Sequence, residues 1–140
     1  MNAFGSATVS AIIPTIGRPD SLRDLLDSLC LQTRRPDEVI VADGSDTLEI
    51  EHVVALNKWT DAGLVVRRIA VSPPNAVRQR VSAIECSMGE MVFLLDDDVV
   101  LEPACLEQLL CVMARSDQIV AAVADFNNQR WSSPTTAWRW

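Results

Sequence analysis

Met91-Val92-Phe93-Leu94-Leu95 runs directly into Asp96-Asp97-Asp98. A buried strand that carries three carboxylates at its own carboxyl end is a costly arrangement. Such closely spaced charges repel one another unless something positive neutralises them. Hard divalent ions such as Mg²⁺ and Mn²⁺ prefer oxygen ligands and often carry a substrate's phosphates, which makes them the simplest neutralisers. The bland alternative is an acidic turn that caps the next helix.

Outward from this stretch, apolar runs alternate with amphipathic segments, the pattern of strands and helices in a parallel sheet. Strands are expected at 7–13, 38–42, 64–71, 91–95 and 119–124. The first helix is expected to begin near Asp20 or Ser21, both good caps, and to bury Leu22, Leu25, Leu26 and Leu29 at i, i+3, i+4 and i+7. A second, less regular helix over 47–59 would bury Ile50, Val53, Val54 and Leu56. A third follows Ser72-Pro73-Pro74-Asn75, with Val77, Val81 and Ile84 as its buried face. A fourth follows Pro103, marked by Leu106, Leu109, Leu110 and Met113.

Ligands of open parallel sheets bind outside the carboxyl ends of the strands. Three features of this chain fall at such ends: Pro14-Thr15-Ile16-Gly17-Arg18, Asp43-Gly44-Ser45-Asp46 and Asp96-Asp97-Asp98. Arg80 shares a helical face with Val77, Val81 and Ile84, so it interrupts an apolar stripe and must find an anion or reach out to solvent. A salt bridge to one of the aspartates and a contact to a ligand phosphate are both open to it. Arg78 is the alternative candidate.

The 140 residues fit one domain, with 49% hydrophobic and 22% charged residues, a globular composition. A formal net charge of −7 and arginines scattered without a basic patch argue against nucleic acid as a partner. Arg34-Arg35 and Arg67-Arg68 read as solvated loop or strand-edge charges. No apolar stretch approaches the ~20 residues that span a bilayer, and Met1 to Ser6 lack the features of a secretion signal, so a soluble cytosolic chain is expected. Cys30, Cys86, Cys105 and Cys111 form no Cys-x-x-Cys pair and read as buried, reduced thiols. Trp131, Trp138 and Trp140 lie in a polar tail that could cover a site or meet a partner or a membrane surface.

Several blocks resemble family 2 glycosyltransferases. They are Val9-Ser10-Ala11-Ile12-Ile13-Pro14-Thr15 with Arg18-Pro19, then Leu25-Leu26-Asp27-Ser28-Leu29 with Gln32-Thr33, then Glu38 to Ser45, and finally Gly89 to Asp98 with Pro103 and Leu106. They occur in the family's order and spacing over about residues 8–125. The resemblance implies the nucleotide-binding half of a GT-A fold over residues 1–125, Rossmann-like, with a mostly parallel sheet flanked by helices. Residues 126–140 would be a tail or the start of an acceptor half. It implies a nucleoside diphosphate sugar donor, Mn²⁺ or Mg²⁺, an acceptor that could be a saccharide, lipid or protein, and transfer with inversion. Pro14 and Thr15 would lie along the nucleoside, and Asp43 would contact the base. Asp96 or Asp97 would contact the ribose or a water on the metal. Asp98 would bind the metal, with Asp96 a second candidate ligand, and Arg80 matches the Arg of the family's Ala-Arg-Asn triplet.

The chain departs from the family pattern at Ala42, where an acid is usual, at Gln79, Val81 and Ala83, and at Ile16-Gly17, where an aromatic and Asn are usual. The family's acceptor half and its catalytic base normally follow the aspartates. No base is identified here, because Asp125 comes too early. A truncated enzyme, a donor-binding half that needs another chain or oligomerises, and an inactive relic are the corresponding expectations. The rival enzyme class is a haloacid-dehalogenase-like phosphatase with Asp96 as nucleophile and Asp98 as acid, but its motif belongs on an early strand and no Lys follows it here. A binding domain without turnover is the non-enzyme rival. The missing Gly-x-Gly-x-x-Gly argues against a dinucleotide site.

Overall fold

Four of the five expected strands pair as parallel neighbours. The computed structural model describes residues 6–125 and 127. In it, β1 (Val9–Thr15), β2 (Glu38–Asp43), β3 (Val66–Ala70) and β4 (Met91–Leu94) form one sheet in the order β3-β2-β1-β4. Thr15 lies opposite Asp43, Asp43 opposite Ala70 and Ile12 opposite Leu94, so the carboxyl ends of all four strands share one rim. Chain order runs outward from β1 to β3 on one side and jumps to β4 on the other. That reversal opens a crevice between β1 and β4, the usual place for a ligand in such sheets.

One face of the sheet is covered by α1 (Pro19–Cys30), α2 (Glu49–Val54) and α3 (Asn57–Asp61). Leu22, Leu25, Leu26 and Leu29 are fully buried as their spacing requires, against Ile13, Val39, Val41, Ile50 and Trp59. Each such side chain contributes about 1.5–3 kcal/mol through burial alone. α1 begins at Pro19, earlier than Asp20 or Ser21. Proline suits a first helical position because its missing N–H would find no intrahelical acceptor there.

The expected second helix is broken in two at Leu56, which is extended and 40% exposed. The break lets Trp59 turn inward, where its indole N–H donates to the Val53 carbonyl at 2.7 Å and satisfies a helix end. α5 (Cys105–Met113) packs Leu106 and Leu110 on Val9, Met91 and Phe93.

The opposite face carries α4 (Ala76–Glu85), and here the apolar pattern misleads. Val77, Val81 and Ile84 are exposed, while Gln79 and Ala83 face the sheet. Ala83 is small enough to admit the strands' Ile12, Ile40 and Ala42 to close contact. Gln79 is held because its amide nitrogen donates to two strand-end carbonyls, of Ala42 at 2.7 Å and Thr15 at 2.9 Å. Arg80 therefore does not interrupt a buried stripe; it lies on the helix flank toward the rim.

Residues 119–124 form no strand, and Val120 and Val123 are almost fully exposed. A run of β-branched residues becomes a strand only where a neighbour can complete its ladder, and none of the described strands pairs with it. All four cysteines are free, but Cys86 and Cys111 are exposed and Cys30 and Cys105 only half-buried. Burial still pushes the Cys30 and Cys105 thiols up from their ordinary value. The tryptophans of the tail lie outside the described residues. No helix among those described is long and apolar enough to cross a membrane.

Candidate functional site

The β1–β4 crevice opens into a cleft of about 270 Å³ lined by both strand ends and by α4. Of the residues given a role from the sequence, Pro14, Thr15, Arg80, Asp96, Asp97 and Asp98 line it together, joined by Ile16 and Arg18 of the first rim feature. Arg78 is exposed and does not line it.

The three aspartates are not equivalent. Asp97 is buried and takes a 2.7 Å hydrogen bond from the Thr15 hydroxyl, which ties the end of β1 to the loop after β4. Asp96 and Asp98 stand open, their side chains about three-fifths exposed. Asp96 is paired with Arg80, and Arg18 reaches both Asp97 at 3.2 Å and Asp98 at 3.3 Å. Two guanidinium groups thus offset two of the triplet's three formal charges, which eases the charge problem posed by the strand's end but leaves one carboxylate's worth of negative charge at the rim. The salt bridge foreseen for Arg80 is present.

Asp43 sits beside the cleft and not on its lining, with no side-chain exposure. One carboxylate oxygen accepts from the Ser45 N–H at 2.8 Å, the other from the Arg68 Nε at 2.7 Å. Ser45 in turn accepts from the Gly17 N–H at 2.8 Å, so the loops after β1 and β2 are laced together over Asp43. Gly44 closes the lacing by donating to the Thr15 carbonyl at 3.0 Å. A Cβ on Gly44 would lie 2.7 Å from that of Pro74, so this approach requires glycine.

Three residues of the site were given no role in the sequence. Arg18 belongs to the rim feature that ends β1 but was assigned no partner, and its place on the same rim as three aspartates was the available signal. Gln79 appeared only as a departure from a family triplet, although it lines the cleft and fixes α4 to the rim. Its Oε1 is buried without a hydrogen-bond partner. Arg68 was read with Arg67 as a solvated loop or strand-edge charge; it does lie on edge strand β3, yet it is half-buried against Asp43 and also reaches Glu51 at 3.3 Å.

Among the described residues no three His, Cys, Asp or Glu side chains converge as a preformed metal cage. The donor set nonetheless fits a hard divalent ion of the kind held by one or two carboxylates, with phosphate and water completing the shell. Asp98 offers an exposed carboxylate at the mouth of the cleft, and its arginine contact at 3.3 Å is long for a charge-assisted bond.

Comparison with known proteins agrees with this geometry. The model for Glycosyl transferase family 2 matches residues 10–140. The O-antigen biosynthesis protein RfbC of Myxococcus xanthus is 32% identical over 114 residues, which cover 81% of this chain and 9% of that protein. Among solved structures, S. aureus TarS 1–349 in complex with UDP-GlcNAc aligns with a TM-score of 0.60 at 23% identity, over 76% of this chain and 31% of that one. The mannosyltransferase PcManGT from Pyrobaculum calidifontis, in complex with GDP-Man and Mn²⁺, aligns with a TM-score of 0.62 at 23% identity, over 80% and 33%. These structures share the GT-A fold, and the parallel sheet flanked by helices described here belongs to that fold.

Proposed function

Since this chain belongs to glycosyl transferase family 2, we propose that its cleft binds the nucleoside diphosphate of a sugar donor and that the chain serves metal-dependent, inverting glycosyl transfer. The observation that carries this reading is the gathering of Thr15, Arg80 and the three aspartates around one cleft at the sheet's switch point. The chain spans about a tenth of the curated relative and about a third of the two solved structures named above.

Pro14 and Thr15 would run along the nucleoside, with Thr15 held in place by Asp97. Asp43, enclosed by Ser45 and Arg68, would act at the base end by fixing the Gly44-Ser45 loop and by any acceptor capacity it keeps. Asp96 or Asp97 would take the ribose hydroxyls, and Arg80 would turn from Asp96 to the phosphates. Asp98, with Asp96 as second candidate, would hold Mn²⁺ or Mg²⁺, and that ion when bound supplies the Lewis acidity that stabilises the departing diphosphate. Among the described residues the acids lining the cleft are Asp96, Asp97 and Asp98, each given a donor or metal role here, so proton removal from an acceptor hydroxyl is assigned to none of the described residues. The acceptor would be a saccharide, lipid or protein. The phosphatase alternative is set aside, because the family match covers the whole motif region.

Calorimetric titration of the 140-residue chain with UDP and with GDP, each with and without Mn²⁺, tests the reading. One of the two should bind only with the metal, and Asp98→Ala should remove that binding while leaving the melting curve in place. Absence of nucleotide binding in the presence of Mn²⁺ sinks the proposal.

A further inference from the structure

The described residues contain one guanidinium that touches two of the three aspartates. Arg18 Nη1 lies 3.2 Å from Asp97 Oδ1 and 3.3 Å from Asp98 Oδ2, and the Arg18 side chain is 55% exposed. It stands at the amino end of α1 without a side-chain cap of its own, and its acidic partners among the described residues are these two aspartates. Arg80 occupies the remaining aspartate from the other side of the cleft. A divalent ion on Asp98 would be brought within a few ångströms of the Arg18 charge, and the two cations cannot share that carboxylate without mutual repulsion.

We propose that Arg18 is an exchangeable counter-ion: it holds the rim carboxylates while the metal is away, yields Asp98 to the metal, and then turns to the donor's diphosphate. The inference rests on the metal-dependent donor reading above and adds to it a residue and an order of events. Three observations favour exchange over a fixed structural bridge. Both Arg18 contacts are longer than the 2.7–2.9 Å of a strong charge-assisted bond. Both the Arg18 side chain and its Asp98 partner are more than half exposed, so water takes up both charges when they part and the separation costs little. Asp97, by contrast, keeps the Thr15 hydroxyl as a partner when Arg18 leaves. A guanidinium released at the mouth of the same cleft is well shaped for two phosphate oxygens at once.

Arg18 therefore acts with opposite sign on two ligands. It competes with the bare metal and favours the metal–nucleotide pair. The experiment compares the wild-type chain with Arg18→Gln and Arg18→Lys. Binding of Mn²⁺ alone is followed by the electron paramagnetic resonance signal of the free ion, and binding of UDP and GDP in the presence of Mn²⁺ by calorimetry. Arg18→Gln should tighten Mn²⁺ alone by up to about thirtyfold, the effect of one unit charge on a divalent ion about 4 Å away in a water-like medium. The same variant should weaken the nucleotide that binds by about fivefold or more. Arg18→Lys, which keeps the charge, should leave Mn²⁺ close to wild type.

Unchanged or weaker Mn²⁺ binding in Arg18→Gln overturns the exchange. Tightening of both Mn²⁺ and nucleotide overturns the turn to the diphosphate. If the wild-type chain binds neither Mn²⁺ nor nucleotide, the donor reading itself has failed and Arg18 falls with it. Wild-type binding that Arg18→Gln does not move rejects Arg18 alone.

Discussion

The two ends of the sheet carry polar clusters of opposite character. At the amino end, Glu38 of β2 accepts from the Ser10 hydroxyl at 2.6 Å, from the Met88 N–H at 2.6 Å and from Arg67 at 3.2 Å. Ser10 accepts in turn from the Gly89 N–H at 2.8 Å. The Glu38 carboxylate is only 7% exposed, and every one of these partners comes from this chain. At the carboxyl end there are two tiers. Asp43 and Asp97 are enclosed in the same manner, but Asp96 and Asp98 stand open above them.

Edge strand β3 serves both ends, since adjacent Arg67 and Arg68 reach Glu38 and Asp43 respectively. A closed cluster joins strands to loops and does nothing further. An open tier spends stability on like charges held together, which is reasonable only where a ligand completes the set.

The largest effect should come from breaking the closed end. Glu38→Ala leaves a partly buried Arg67 with only its Cys86 contacts and no anion, and removes the acceptor for Ser10 and Met88, so we expect a loss of about 2–4 kcal/mol in urea unfolding. Glu38→Gln, which keeps the shape and one acceptor, should lose less. A loss below about 1 kcal/mol for the alanine would show the lattice to be incidental.

The same end makes stability depend on acid. Burial pushes the Glu38 carboxyl up, but the hydrogen bonds from Ser10, Met88 and Arg67 outweigh it and hold the group below its ordinary 4.5. Asp37 is likewise raised by burial but held below 3.8, by the Arg34 guanidinium and the Val9 N–H. Both groups bind protons more readily in the unfolded chain. Their contribution is therefore complete above the ordinary carboxylate range and is lost as the pH falls through the lower folded values. Urea midpoints taken from neutral pH down to about 3 should fall for wild type and fall less for Glu38→Gln.

A smaller loss is expected at Gly89. A Cβ there would lie 2.6 Å from both the backbone nitrogen and the hydroxyl of Ser10. The backbone contact cannot be relieved by a rotamer change. Gly89→Ala should cost about 2 kcal/mol through forced backbone movement, with nucleotide binding retained because the cleft lies at the other end. Loss of binding without loss of stability would mean that the two ends are coupled in a way the sheet does not suggest.

The closed end was hardly legible in the sequence, whereas the open end was. Asp96-Asp97-Asp98 after an apolar run is a local anomaly that propensity cannot explain, so it announces itself. Ser10, Glu38, Arg67 and Gly89 are ordinary residues singly, and only the β1–β2–β3 register together with the β1–β4 pairing makes them neighbours. The same holds for Arg18 and Arg68, whose partners are 80 and 25 residues away in the chain.

Periodicity served well for α1, where every buried position but Ser28 is leucine. It failed for α4, whose sheet-facing side is made by Ala83 and Gln79 while its valines and isoleucine face outward. Val92 and Leu94 of edge strand β4 are also exposed, so apolarity does not by itself mark the covered face of this molecule. The run at 119–124 had strand composition without a strand partner.

The smallest effect on stability, and the largest on binding, should come from the open tier. Asp98→Asn removes one charge from a triplet whose members repel one another, and the side chain it alters is 59% exposed. It gives up one long contact to Arg18, whose guanidinium keeps Asp97. These opposing changes should leave stability within about 0.5 kcal/mol of wild type, and any residual shift should be toward greater stability. Metal-dependent nucleotide binding should disappear, because the amide is a poor substitute for the anionic oxygen that a hard cation selects. Urea unfolding and calorimetry on the same preparation read both quantities. A clear loss of stability in Asp98→Asn would place Asp98 with Glu38 among the residues that hold the fold, and the contrast between the two ends of the sheet would then be lost.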